Sequence, residues 1–499
     1  MKKKLFTLLL VLVIIFCSMP LSSLAVESQK TTGATTTPEA NSQDAALAST
    51  GYSAYIMQGD TESAMDCLVF RNALMNSGSG YTYAPAYGWN AFTGAKLSTP
   101  VTASEFATIG DADVVYYSGH GKWTEGDPRE PVINYTNGPW INVAETLNVD
   151  TSSWRSTCAV STSDPLSVLI LATCSQLDTS IVKYYARVMR ASGIRAIAGY
   201  HYTAPPSGTD ETVAQSFIDI SDDGNSVWYS WKNANTGGNW AVLVYEENAN
   251  QYYRLPGFPS PEYDPPSSTA QIYRYANFIA EDTDNIISPT GITEDISAQL
   301  YSLPLTITTT EAATNTYALT RDRETACSSM SVVDDSSAVI SYLNETLSAD
   351  TASKICVQHY VTRDQIDESV GILDNTQTIL ERTYDYYDTY NGIKIADSYV
   401  GASIDCEGIN NVTDERKTVV SVGETASDSP ARSIVLISQN EAITIAQAEN
   451  SCCEELDIRS VALAYAPTEN GSHVLCYEIR ATCGFIYVDV QTGDIVNWI

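Results

Sequence analysis

The stretches VVYYSGHG (residues 114–121) and VLILATCSQ (168–176) share one plan: four aliphatic or aromatic residues in a row, then small residues leading to a histidine or a cysteine. Unbroken apolar runs of this length read as strands buried on both faces, the texture of a parallel sheet rather than of an exposed antiparallel one. A third run, Ile194–Ala198, follows the second. Between them Asp178 is placed to cap a helix whose apolar residues Ile181, Val182, Tyr185, Val188 and Met189 share one face and which Gly193 stops. Strand, helix and strand with a short return make a parallel βαβ unit. Upstream, a strand at Ala54–Met57 precedes a helix capped by Asp60, with Met65, Leu68, Val69 and Ala73 as its apolar face and Gly78 at its end. Residues 49–255 are therefore expected to form a doubly wound α/β domain with a mostly parallel sheet.

The flanks set the rest of the plan. The opening MKKKLFTLLLVLVIIFCSMPLSSLA, residues 1–25, has the basic, apolar and small-residue order of a secretory signal, with cleavage expected after Ala25. No later stretch is apolar enough to span a bilayer, so no membrane contact is expected after cleavage. Residues 26–48, rich in Thr, Ala and Ser, read as a flexible linker. The segment PGFPSPEYDPP, with five prolines from Pro256 to Pro266, opens a Pro-rich linker or surface loop over 256–289. Beyond it the texture turns to short alternating strands over 290–430. In 431–499, Ser438 and Glu441 form a capping box before a helix with Ala442, Ile445 and Ala446 on one face, followed by strands at Val474–Ile479 and Phe485–Val490 and a turn at Thr492–Gly493. This part reads as an α+β module.

The whole chain carries a formal charge of −33, which grows more negative once Lys2, Lys3 and Lys4 leave with the signal. Such an excess repels nucleic acid and anionic lipid, so neither is an expected partner. Ten cysteines remain after the signal, and outside the cell they tend toward disulfides, though no pairing can be read. Their spacing forms no repeated CxxC pairs, and with four histidines no metal and no other cofactor is expected. HExxH and GxSxG are both absent.

In an open parallel sheet, ligands gather at the carboxyl ends of the strands, and both sharp motifs sit there. If their strands are neighbours, His120 and Cys174 face one another across the rim. A cysteine thiol needs a partner that takes its proton, and His120 is placed to be that base and then to protonate a leaving amine. Gly121, lacking a side chain, lets its backbone N–H approach an oxyanion beside the N–H of Cys174. Each residue also has a plainer reading: His120 as a turn residue, and Cys174 as core or as half of a disulfide with Cys158.

VVYYSGHG and VLILATCSQ resemble the His-Gly and Ala-x-Cys signature of the caspase, gingipain, clostripain and separase group of cysteine peptidases, over about residues 100–205. The resemblance implies a caspase-like fold, His120 as general acid and base, Cys174 as nucleophile and Gly121 in the oxyanion hole. It also implies that the strand ending in Tyr200 and His201 borders the pocket for the side chain before the cut bond, with a plain aromatic loop as the alternative. Asp111, Asp113 and Asp178 are acidic residues near this rim in sequence. TYNGIKIADSYVGASIDCEGINNV (389–412) resembles the propeptide module of thermolysin-like proteases, and NEAITIAQ (440–447) with YEIRATCGFIYVDVQTGDIVNW (477–498) resembles a PepSY domain. The expected function is thus a secreted cysteine endopeptidase, acting on protein or peptide, whose C-terminal module contacts and inhibits or regulates it. The alternative is a secreted or wall-associated binding protein on a silent caspase-like scaffold.

Overall fold

The computed structural model describes residues 52–498 except 60–62, 78, 80, 84–100, 108, 125–128, 135–139, 148–165, 193, 206–207, 236–237, 247–252, 259–269, 280–299, 312–334, 375, 426–435, 450–457, 469–470 and 482–483. The expected signal and linker, the Asp60 cap and Cys158, Cys327, Cys452, Cys453 and Cys483 lie outside the described residues.

The unbroken apolar runs form strands where the sequence places them. β1 (Tyr52–Gln58), β2 (Tyr81–Tyr83), β3 (Val114–Ser118), β7 (Val168–Ala172) and β8 (Ala196–Tyr200) pair in parallel in the order β2-β1-β3-β7-β8. Every residue of β3, β7 and β8 is buried. Alternate side chains go to two separate cores: Tyr116, Ile170 and Ala198 to one, and Tyr117, Leu171 and Ile197 to the other. Helices α1 (Ala64–Asn76), α5 (Thr209–Asp222) and α6 (Val227–Ala234) cover the first core. The short helices α2 (Ala103–Phe106) and α3 (Val143–Thr146) and the longer α4 (Val182–Ser192) cover the second. Asp178 caps as expected, its carboxylate accepting from Ser180 N–H at 2.8 Å, and the α4 face from Ile181 to Met189 is fully buried. Of the expected α1 face, Leu68 and Ala73 are core and Val69 packs against it, with Cys67, Phe70 and Leu74 beside them, whereas Met65 is 52% exposed.

The chain leaves the main sheet after β3 to build a small antiparallel ribbon of β4 (His120–Trp123), β5 (Pro131–Asn134) and β6 (Ile141–Asn142). After α6, β9 (Trp240–Glu246) runs antiparallel to β8.

Residues 271–279, expected within a linker or surface loop, instead form strand β10 (Gln271–Ile279). It pairs antiparallel with β9 on one side and with β12 (Ile355–Asp367) on the other. Proline breaks strands only where it stands, and no proline lies between Pro266 and Ile279. Through β10 the sheet runs on into β12, β14 (Thr378–Tyr390), β15 (Ile393–Asp405) and β16 (Gly408–Asp414), with the two-residue β13 (Gly371–Ile372) paired to the end of β12. Helix α7 (Ser336–Leu347) packs on β14 to β16 around Tyr384 and Val400.

The last segment holds β18 (Ile458–Pro467), β19 (Ser472–Ala481), β20 (Gly484–Asp489) and β21 (Ile495–Trp498), covered by α8 (Gln439–Glu449). The Ser438–Glu441 capping box is present, with Ser438 N–H to Glu441 at 2.7 Å and Glu441 N–H to Ser438 Oγ at 3.2 Å. β11 (Thr306–Glu311) joins β17 (Lys417–Val422) to β19, and β15 pairs with β18, so ladders cross the expected boundary at 430. The architecture is mixed α/β, with eight helices among the described residues and one large mixed sheet.

A cut near Pro266 therefore does not fall between domains. It removes β10, leaves the β9 edge unpaired and takes Ile272, Tyr275 and Ala276 out of the two cores. A chain ending at Pro266 is expected to lose cooperative unfolding in a urea titration followed by circular dichroism, whereas residues 49–499 retain it.

Candidate active site

β3 and β7 are neighbours, with Ser118 opposite Ala172, and His120 and Cys174 each lie two residues beyond that pair. The condition set by the sequence is met, and both groups stand at the carboxyl rim. Two close approaches steer the chain there. A side chain on Gly119 would put its Cβ 2.8 Å from Gly59 Cα, so only glycine lets β3 pass into the ribbon. A Cβ on Gly121 would lie 2.6 Å from Cys174 O and would also meet Thr173 Oγ1, which fixes glycine where the ribbon rests on the cysteine turn.

The cysteine turn is held as firmly. Ser175 adopts φ of +60°, a left-handed conformation that costs a residue with a Cβ roughly 1 kcal/mol or more. Backbone bonds repay it: Ser175 N–H donates to Tyr202 O at 2.6 Å and Leu177 N–H to Tyr200 O at 2.9 Å. The Cys174 sulfur is a thiol, not part of a disulfide. Cys174 is 7% exposed, and its Sγ accepts from Ala204 N–H at 3.3 Å. His120 is exposed at the start of β4.

One residue escaped sequence reasoning. Gln176, 0% exposed, donates from Nε2 to Lys122 O at 3.2 Å, Val132 O at 3.1 Å and Cys174 O at 3.2 Å, while its Oε1 accepts from Tyr185 O–H at 2.5 Å. It staples the ribbon that bears His120 to the turn that bears Cys174. A polar residue after an apolar strand gives no hint of this in sequence.

Other expected site residues are placed elsewhere. Tyr200 is buried in the first core with its O–H on Asn235 Oδ1 at 2.6 Å, and His201, 1% exposed, meets Asn277 O of β10 at 2.6 Å. Neither lines an open pocket; both are drawn inward by partners from α6 and β10. Asp111 and Asp113 stand before the amino end of β3, about 17 Å along the strand from the His120 rim at the usual rise. Asp178 serves as a cap. Among the described residues no group of three or more His, Cys, Asp or Glu side chains is placed to hold a metal.

No protein-family model matches the chain, and no curated protein matches it. Two solved structures are similar in part. The C-terminal domain of YpeB from Bacillus megaterium is 14% identical, aligns over 34% of this chain and 97% of its own length, and has a TM-score of 0.18. An uncharacterized protein from Eubacterium rectale is 11% identical over 58% of this chain and 81% of its own, with a TM-score of 0.20. At these scores neither likeness carries an argument about fold or function.

Two measurements check the site. Gln176→Leu leaves buried carbonyls without donors, each costing about 1–3 kcal/mol; the variant is expected to unfold at lower denaturant. Burial, with the nearby Arg274 guanidinium, holds the His201 ring well below the usual histidine range, against the bond to Asn277 O. The folded ring stays neutral while the unfolded ring takes a proton near pH 6.5, so this stability is present above that pH and is lost as pH falls, by up to about 1.4 kcal/mol per unit. Asp66, raised by burial to about 6, titrates with the opposite sign, so the comparison needs a matched variant. Between pH 7 and pH 5, wild type is expected to lose more thermal stability than His201→Gln.

Proposed function

We propose that the chain is an exported cysteine endopeptidase of caspase-like fold, with a propeptide-like and PepSY-like C-terminal half that regulates it. The observation that carries this reading is the placement of the Cys174 thiol and a His-Gly pair just past the carboxyl ends of adjacent parallel strands. The strand order β2-β1-β3-β7-β8 with antiparallel β9 supports a caspase-like core, because it is one open sheet covered on both faces with its loops converging on that rim.

In this mechanism His120 takes the Cys174 proton, and the thiolate attacks the peptide carbonyl carbon. The oxyanion is held by the backbone N–H groups of Gly121 and Cys174. As the C–N bond breaks, His120 returns its proton to the leaving amine, leaving a thioester. His120 then deprotonates a water, which attacks the thioester and releases the acid and the thiol. Gln176 acts as a positioning residue by fixing the ribbon against the turn.

The low exposure of Cys174 favours a second reading, a silent scaffold that binds a partner. Turnover separates the two. Cys174→Ala and His120→Ala are each expected to lower peptide hydrolysis by at least about 10³-fold at unchanged melting temperature, since members of a catalytic unit fail together. Hydrolysis that persists in either variant refutes the dyad, and a wild-type chain inert toward all peptides supports the scaffold.

A further inference from the structure

The cover over Cys174 belongs to neither strand that builds the site. It is the segment after β8, residues Tyr202–Ala204. Ala204 N–H rests on the sulfur at 3.3 Å, and Tyr202 O takes the Ser175 N–H at 2.6 Å. A scissile carbonyl has to come within about 3–3.5 Å of the sulfur to react. Ala204 already occupies that range, so substrate and cover exclude each other.

What holds the cover down comes from the second half of the chain. The Tyr202 side chain packs against the C-terminal core that contains Leu303, Ile395, Tyr465 and Leu475. Its neighbour His201 bonds to Asn277 O of β10, and its ring lies 4.5 Å from the Tyr202 ring and 4.7 Å from that of Phe278. The cover is not fully satisfied in this position, because Thr203 Oγ1 is buried without a hydrogen-bond partner. That orphaned hydroxyl lowers the cost of lifting the segment.

We propose that Tyr202–Ala204 is an autoinhibitory latch, closed over Cys174 by the packing of Tyr202 against the C-terminal core and opened when that contact is released. Its effect on turnover rests on the peptidase reading; its effect on access to the thiol does not. The latch explains how a C-terminal half joined to the sheet at β10, far along the chain from Cys174, acts on the site without covering it itself.

The test uses the full chain and two readouts. Iodoacetamide is added to the native protein, and the alkylation rates of Cys174 and Cys67 are followed by peptide mass; Cys67 is buried in the first core and reports global unfolding. Tyr202→Ala is expected to raise the Cys174 rate at least tenfold with Cys67 unchanged, and to raise peptide hydrolysis by a similar factor, while Tyr202→Phe stays closed. Ala204→Pro, which deletes the N–H on the sulfur and leaves Tyr202 in place, is expected to give a smaller rise and decides the matter should Tyr202→Ala expose both cysteines by unfolding. Cys174 rates equal to wild type in Ala204→Pro and in any folded Tyr202→Ala overturn the latch. Faster alkylation without hydrolysis of any peptide upholds the latch and rejects the peptidase.

Discussion

The pairing of β10 between β9 and β12 is the constraint on which the rest of the molecule depends. Without it the parallel sheet ends at an open edge and the two halves of the chain share no ladder there. β10 also carries Arg274, 0% exposed, whose Nη1 lies 3.4 Å from Asp364 Oδ2 on β12 and whose Nε donates to Leu177 O at 3.1 Å. A buried guanidinium is tolerable only with such partners, because a lone charge in the interior costs several kcal/mol. One of those partners is the backbone three residues past Cys174. The position of the cysteine turn is thus tied to a strand that stands a hundred residues later in sequence.

Charge reinforces the same joint. In a chain with 60 acidic and 27 basic residues, a basic side chain is a scarce resource, yet several lie where the halves meet. Arg190 of α4 meets Glu368 at 3.0 Å, and Arg187 Nε donates to Glu368 O at 2.7 Å. Lys232 of α6 pairs with Glu381 on β14, and Arg363 of β12 with Glu246 on β9 at 2.5 Å. These pairs are partly or largely shielded from solvent, where a correct partner matters more than it does on an open surface. Mutual repulsion among so many carboxylates would drive the halves apart, and the placement of these cations offsets it at the seam.

How much of this was legible in the sequence follows from what each signal depends on. Local periodicity located β3, β7 and β8, the buried face of α4, the Asp178 cap and the Ser438–Glu441 box, because each is decided within about a dozen residues. The strand-end placement of His120 and Cys174 was legible too, whereas the adjacency of β3 and β7 stood only as a condition in the sequence and is supplied by their pairing. The inward face of α1 was legible at Leu68, Val69 and Ala73 but not at Met65, which is exposed, while packing against α5 adds Cys67, Phe70 and Leu74 to the core. β10 was hidden by its neighbours, as the prolines before it mark a loop and nothing local reveals two partner strands. Arg274 and Gln176 were invisible for one reason: a buried polar side chain is recognisable only once its partners are in place, and those partners are backbone carbonyls, which carry no sequence signal, and the side chains of Asp364 and Tyr185, which show no link to them in sequence.

The strained Ser175 gives the latch a further consequence. Its N–H is satisfied by Tyr202 O, and this bond helps to hold a left-handed residue beside Cys174. Lifting Tyr202 removes that acceptor and leaves a donor without a partner at the rim, a cost of about 1–3 kcal/mol where water is excluded. A carbonyl of an extended peptide entering the same space restores the bond. Under the proposed latch and peptidase reading, release of Tyr202 from the C-terminal core and entry of a peptide would favour one another through this single N–H.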